Sequence, residues 1–126
     1  MNEKKRKILV VDDEEQALRL MEAMLVPNGY DVILLGDSNK VAEVAQSQKP
    51  DLIILDVMMP ELDGYTALTE IKEDEGIKHI PVIMATAVGY EMNKQLAETL
   101  GAADYLTKPI ELTNLLETIS RFLPRS

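Results

Sequence analysis

Five side chains in this 126-residue sequence could do chemistry together: Asp12, Asp13, Asp56, Thr86 and Lys108. Each stands at or just past the end of a short apolar run. Asp12 and Asp13 follow Ile8–Val11, Asp56 follows Leu52–Leu55, Thr86 follows Ile80–Met84, and Lys108 follows Ala102–Leu106. Three carboxylates gathered at one place repel, at about 4 Å and an effective dielectric near 20 by on the order of 4 kcal/mol per pair. Either their pKa values rise or a cation joins them. Oxygen donors without His or Cys point to a hard cation, Mg²⁺ ahead of Zn²⁺. Lys108 adds a second positive charge and Thr86 a hydroxyl donor. This equipment suits phosphoryl transfer, in which positioning and charge neutralisation matter more than covalent assistance. Asp56 could itself be the nucleophile, giving an aspartyl phosphate.

Taken singly, each residue has an ordinary structural explanation. Asp12 or Asp13 could cap a helix that follows. Thr86 could be a satisfied strand-end hydroxyl, and Lys108, before Pro109, a surface loop residue. Asp56 is harder to set aside, because a carboxylate closing a continuous apolar run needs a partner once it is even partly buried.

The elements that must position these groups follow from the hydrophobic pattern. The runs Ile8–Val11, Val32–Leu35 and Leu52–Leu55 are continuous rather than alternating, as in strands covered on both faces; Ile80–Met84 and Ala102–Leu106 complete five. Helical spacing fills the intervals: Leu18, Met21 and Leu25; Val41, Val44 and Ala45; Leu68 and Ile71; Met92, Leu96 and Leu100; and Leu112, Leu115, Leu116, Ile119 and Leu123. Breaks fall at Pro27-Asn28-Gly29, Lys49-Pro50, Gly76 and Gly101, with Asp37 or Ser38 able to cap the second helix and Asp63 the third. Alternating strands and helices predict an α/β fold on a parallel sheet with right-handed crossovers. Ligands of such sheets bind beyond the carboxyl ends of the strands. Four of the five ends carry the groups above; the second, Leu35-Gly36, offers nothing comparable.

Composition narrows the function classes. The length suits one domain with a sizeable core, and without cysteine there is no disulfide, thiolate metal site or Cys nucleophile. A net charge of −9 argues against nonspecific nucleic-acid binding, and the basic tract Lys4–Lys7 reads as a solvated tail before the first strand. No apolar stretch approaches the roughly 20 residues of a membrane span, and no signal peptide is visible, so a cytoplasmic location is expected.

The segments Val10-Val11-Asp12-Asp13-Glu14, Leu55 to Gly64, Ala85-Thr86-Ala87 and Asp104-Tyr105-Leu106-Thr107-Lys108-Pro109 together resemble the receiver domains of two-component response regulators, the CheY-like family. The resemblance runs from about Lys7 to Leu123. It implies a flavodoxin-like (βα)5 doubly wound sheet of five parallel strands in the order 2-1-3-4-5, and a single receiver domain over residues 1–126. It further implies that Asp56 is the phosphoacceptor and that Asp13 binds Mg²⁺ directly, with Asp12 acting through water and Met58 giving a backbone carbonyl. Thr86 and Lys108 would bind the phosphoryl oxygens, Ala87 would leave that group accessible, and Tyr105 would be the switch aromatic. A cis Lys108-Pro109 peptide is expected on the same ground. The donor would be a phosphohistidine on a histidine kinase or histidine phosphotransfer protein, or a small acyl phosphate. The output would be a change in the face made by the fourth helix, fifth strand and fifth helix. Receivers that dimerise through that face in DNA-binding regulators often carry basic residues along the fifth helix; only Arg121 lies there, so a monomer or weak dimer is expected, without direct nucleic-acid binding.

Such a domain is a phosphoacceptor rather than an enzyme. A phosphatase with an aspartyl-phosphate intermediate would want a second carboxylate two residues after the nucleophile, where this chain has Met58. A nucleotide-binding domain would want a Gly-rich loop after the first strand, where this chain has Asp12-Asp13-Glu14-Glu15. Met58 and Val88, two residues beyond Asp56 and Thr86, cannot orient a hydrolytic water, so a long-lived phosphorylated form is expected. The only histidine, His79, precedes the fourth strand and reads as a solvated loop residue.

Overall fold

A computed structural model describes residues 5–57, 64–87 and 94–124. The elements run β1 (Lys7–Val11), α1 (Glu15–Leu25), β2 (Asp31–Leu35), α2 (Val41–Gln48), β3 (Leu52–Asp56), α3 (Gly64–Glu73), β4 (Val82–Thr86), α4 (Lys94–Leu100), β5 (Asp104–Thr107) and α5 (Leu112–Phe122). All strands are parallel and lie in the order β2-β1-β3-β4-β5. The expected flavodoxin-like order is therefore the observed one.

The continuous apolar strands work as their composition requires. Side chains alternate between the two faces of a strand, and both faces are covered. Leu9, Val11, Ile53, Leu55, Val82 and Met84 pack into one core with α2 and α3 residues such as Val41, Ala45, Leu68 and Ile71. Ile8, Val10, Leu52, Ile54, Ile83 and Ala85 pack into the other with Leu18, Met21 and Leu25 of α1 and Leu115 and Ile119 of α5. Full burial of one such aliphatic side chain contributes roughly 1.5–3 kcal/mol, so β3 and β4, each with all five residues buried, are the most firmly held strands of the frame.

Several boundaries differ from the sequence expectation, each for a local reason. The fourth strand pairs only from Val82; Ile80 closes the preceding turn through its N–H to the Ile77 carbonyl, and Pro81 contributes only its carbonyl, to the Ile53 N–H. The fifth begins at Asp104 rather than Ala102 and reaches Thr107. In α4 the buried residue is Ala97, while Leu96 is exposed; Met92 lies outside the described residues. In α5 the inward stripe is Leu115, Ile119 and Leu123, and Leu112 faces outward. Asp37 does cap, but it caps the 3-10 turn Ser38–Lys40 ahead of α2, accepting from the Asn39 N–H. Asp63 lies outside the described residues. Gly29 and Gly101 have φ of 93° and 109°, a backbone region open mainly to glycine, at the expected breaks.

Candidate phosphoacceptor site

The rim at the carboxyl ends of the strands is pinned by ladder bonds that run one residue past the strands. The Asp12 N–H donates to the Leu35 carbonyl at 3.1 Å, the Val57 N–H to Ala85 at 2.9 Å, and the Lys108 N–H to Thr86 at 2.7 Å. Rim side chains thus inherit the stiffness of the sheet. Asp56 closes the central strand at 5% exposure, and Asp12 is 4% exposed. Asp12 caps nothing. Its Oδ1 accepts from the Glu14 N–H at 3.0 Å in a tight turn, which leaves Oδ2 directed at the site. Asp13 is exposed beside it.

Oxygen atoms of Asp12, Asp13 and Asp56 all lie within 4.8 Å of one another. Lys108 reaches across from the far edge of the sheet to meet them. Its Nζ donates to Asp12 Oδ2 at 2.6 Å and, at a longer 3.5 Å, to Asp56 Oδ2. Burial alone would push the Lys108 ammonium down, but the hydrogen bond and charge of Asp12, joined by Asp56, outweigh it and hold its pKa above the ordinary lysine value. The peptide that follows, Lys108–Pro109, is cis, as expected.

The structure therefore brings Asp12, Asp13, Asp56 and Lys108 into one cluster. Thr86 stands on the same rim, buried, in register with Thr107 on β5, its hydroxyl 3.4 Å from the Ala87 carbonyl. Ala87 is half-buried beside it. Tyr105 lies on β5, 37% exposed, with its ring under the Lys94 ammonium. Met58 and Val88 lie outside the described residues. His79 is exposed ahead of β4.

One positioning residue was not singled out from the sequence. Gly64, the first residue of α3, is packed so closely that a Cβ there would stand 2.7 Å from Val57 Cα and 2.9 Å from the Asp56 carbonyl oxygen. Its N–H donates to the Val57 carbonyl at 3.1 Å. Helix α3 is thereby laid directly on the backbone that carries Asp56. The Asp63-Gly64 pair was visible as part of a motif, but its purpose appears only in three dimensions.

The donor set fits a hard divalent cation: three carboxylates converge, one of them exposed, with no nitrogen or sulfur ligand among the described candidates. Beside the cluster, a cleft of about 100 Å³ runs between α1 and the β5–α5 connection, lined by Ala17, Leu20, Met21, Pro109 and Ile110.

Comparison with known proteins agrees with this geometry. The family model for the response regulator receiver domain matches residues 8–120. The chain is 40% identical over 121 residues to the alkaline phosphatase synthesis transcriptional regulatory protein PhoP of Bacillus subtilis, covering 96% of this chain and 50% of that protein. It is 35% identical over 117 residues to protein PilH of Pseudomonas aeruginosa, covering 93% of this chain and 97% of that one. Thus the chain spans about half the length of PhoP and nearly all of PilH. Among solved structures, the receiver domain of the sensor histidine kinase PA1611 from Pseudomonas aeruginosa, which has a magnesium ion coordinated in its active-site cleft, superposes with a TM-score of 0.87 at 32% identity, covering 97% of this chain and 100% of that one. Chemotaxis protein CheY4 of Vibrio cholerae does so with 0.87 at 28% identity, covering 94% and 99%. A carboxylate cluster on the rim of a 2-1-3-4-5 sheet, together with a family match over most of its length, means that the chain belongs to the response regulator receiver domains of two-component signalling.

Proposed function

We propose that the chain accepts a phosphoryl group on Asp56 from the phosphohistidine of a histidine kinase or histidine phosphotransfer protein, or from a small acyl phosphate, and that the aspartyl phosphate biases the α4–β5–α5 face toward a partner-binding state. The observation that carries this reading is the convergence of Asp12, Asp13 and Asp56 with the Lys108 ammonium around the end of the central strand. An Asp56 carboxylate oxygen attacks phosphorus in line. A P–O bond forms, the P–N bond to the donor imidazole breaks, and the imidazole leaves as a neutral ring that keeps the proton on its other nitrogen. Lys108 stabilises the charge on the phosphoryl oxygens, with the Thr86 hydroxyl as a second donor, where preorganised donors are most effective. Asp13 and Asp56, with Asp12 beside them and the Met58 carbonyl, would hold Mg²⁺, which supplies further charge neutralisation when bound. The apolar cleft next to Asp56, edged by the exposed Leu20, supports reaction with a protein donor.

On this reading the domain is an acceptor that modifies itself once, not a turnover enzyme. Asp56→Asn should abolish hydroxylamine-sensitive phosphate incorporation from a phosphohistidine donor, while Asp13→Ala should weaken Mg²⁺ binding and slow incorporation. Full incorporation in Asp56→Asn would sink the assignment, and multiple turnover of a phosphomonoester would favour a phosphatase instead.

A further inference from the structure

The face opposite β3, at the β5 edge, carries a chain of paired groups that the phosphoacceptor chemistry does not use. Arg121 of α5 donates to Asp104 at 2.5 Å, Asp104 accepts from the Tyr105 N–H at 2.8 Å, and the Lys94 ammonium of α4 stands 4.5 Å from the centroid of the Tyr105 ring. The backbone of Tyr105 is fixed in the sheet, in register with Met84. Among the described residues, its ring is only partly enclosed. It is 37% exposed and flanks a hollow of about 60 Å³ lined by the small residues Ala97, Ala102 and Ala103 together with Lys94, Glu98 and Asp104. A ring beside small side chains has room to move, so its resting position depends on what attracts it. Within the described residues, the contact that does so is the cation over its face, an attraction that aromatic quadrupoles provide and that a neutral side chain does not.

We propose that Lys94 is a positioning residue for Tyr105: the ammonium on the ring holds the side chain in its outward, half-exposed position and so sets the resting balance of the β5 edge. This rests on the proposed function only for its consequence, with Tyr105 taken as the switch aromatic whose ring turns inward, toward Thr86, in the phosphorylated state, so that releasing the ring favours that state. Linkage then makes the effect reciprocal. If the charge on Lys94 favours the outward ring, it opposes whatever the phosphoryl group favours, and removing it makes the phosphoryl group or its analogue bind more readily.

The test uses the whole chain labelled with 3-fluorotyrosine, the Tyr105 resonance being assigned by its loss in Tyr105→Phe. Without any phosphoryl donor, Lys94→Gln should shift that resonance, and Lys94→Arg, which keeps a cation over the ring, should restore the wild-type position. Titration with beryllium fluoride, a tetrahedral phosphoryl analogue, in the presence of Mg²⁺ should show tighter binding in Lys94→Gln by about threefold, the scale of one exposed cation–π contact, and wild-type binding in Lys94→Arg. An unmoved resonance in Lys94→Gln overturns the proposal. So does a Lys94→Arg variant that behaves like Lys94→Gln, since then length and packing rather than charge would matter. A moved resonance with unchanged analogue affinity overturns the link to the switch. Wild-type protein that binds no analogue at all would instead count against the phosphoacceptor reading of Asp56, and the ring resonance would still decide the contact.

Discussion

β3 and β5 are neighbours but one in the same sheet, yet they are built to opposite specifications. All five residues of β3 are buried, whereas in β5 only Leu106 is, and Tyr105 and Thr107 face outward. β3 is paired on both sides and β5 on one. Asp56 sits on the first strand; Tyr105 and Lys108 sit on or just past the second. On the proposed function the difference is a division of labour: the nucleophile stands where the strand is buried throughout, and the switch aromatic stands at an edge where fewer contacts oppose movement. Lys108 joins the two, its backbone bonded to β4 at the edge and its ammonium at the centre.

The comparison is broken most severely from the β3 side. Leu55→Ala should cost about 2–5 kcal/mol, the range for a large-to-small change in a core that cannot collapse, whereas Thr107→Ala on β5 should stay within about 0.5 kcal/mol; urea unfolding measures both, and equal losses would remove the contrast. Next in size is Gly64→Ala. The added Cβ meets backbone at and just past the end of β3 before it meets the flexible Met84 methyl, so we expect about 1–3 kcal/mol of destabilisation and, if the protein is held folded at low temperature, a reduced rate of phosphate incorporation at Asp56. An unchanged rate would mean that α3 does not fix the nucleophile.

The two perturbed lysines sharpen the comparison through pH. Lys108 has a folded pKa above the ordinary lysine value, so its contribution to stability is complete below that value and lost as pH rises through the folded pKa. Lys72 of α3, whose Nζ donates to the Lys78 and Ile80 carbonyls at 2.9 and 2.8 Å, is pushed down by burial. It has the opposite sign: stability is regained as pH rises from its folded pKa toward the ordinary one. Replacing Lys108 by Met should therefore flatten the loss of stability at alkaline pH, and replacing Lys72 by Met should steepen it, as read from denaturant midpoints at a series of alkaline pH values. The smallest effect belongs to the edge itself. Arg121→Ala removes an ion pair whose arginine is 60% exposed and should cost no more than about 1 kcal/mol, less at high salt.

The parallel sheet and the rim cluster are legible in the sequence because strand ends are marked by where apolar runs stop, and the runs of this chain stop at Asp12, Asp56 and Thr86; the strand order came only from the family resemblance, since the runs do not say which strand lies beside which. Helix faces were read less well. In α4 the periodic leucines suggested an inward Leu96, but the helix buries its small Ala97 instead, and apolar spacing alone does not say which of two adjacent faces a short helix presents. Leu112 was likewise counted into a stripe that begins at Leu115. The role of Gly64 could not be read because a close approach leaves no trace in a one-dimensional pattern, and that of Lys94 because an exposed lysine looks like any other until a ring is found beneath it.

The bond between Lys108 and Asp12 joins residues 96 positions apart. Closing a loop of that length costs more entropy than any of the single βαβ crossovers, though the increase is only about 0.6 kcal/mol per doubling of length. Its position in the folding order matters more than its cost. A chain in which β1, β2 and β3 have associated already gathers the three carboxylates, but it lacks their ammonium until β5 docks. During synthesis, when β5 follows β1 to β3, the acidic cluster precedes its counter-charge, and the rim cluster is completed only by Lys108 just past β5. On the proposed function, chemical competence therefore waits for β5, and a partly made or partly unfolded receiver would hold carboxylates without the cation that lets one of them act.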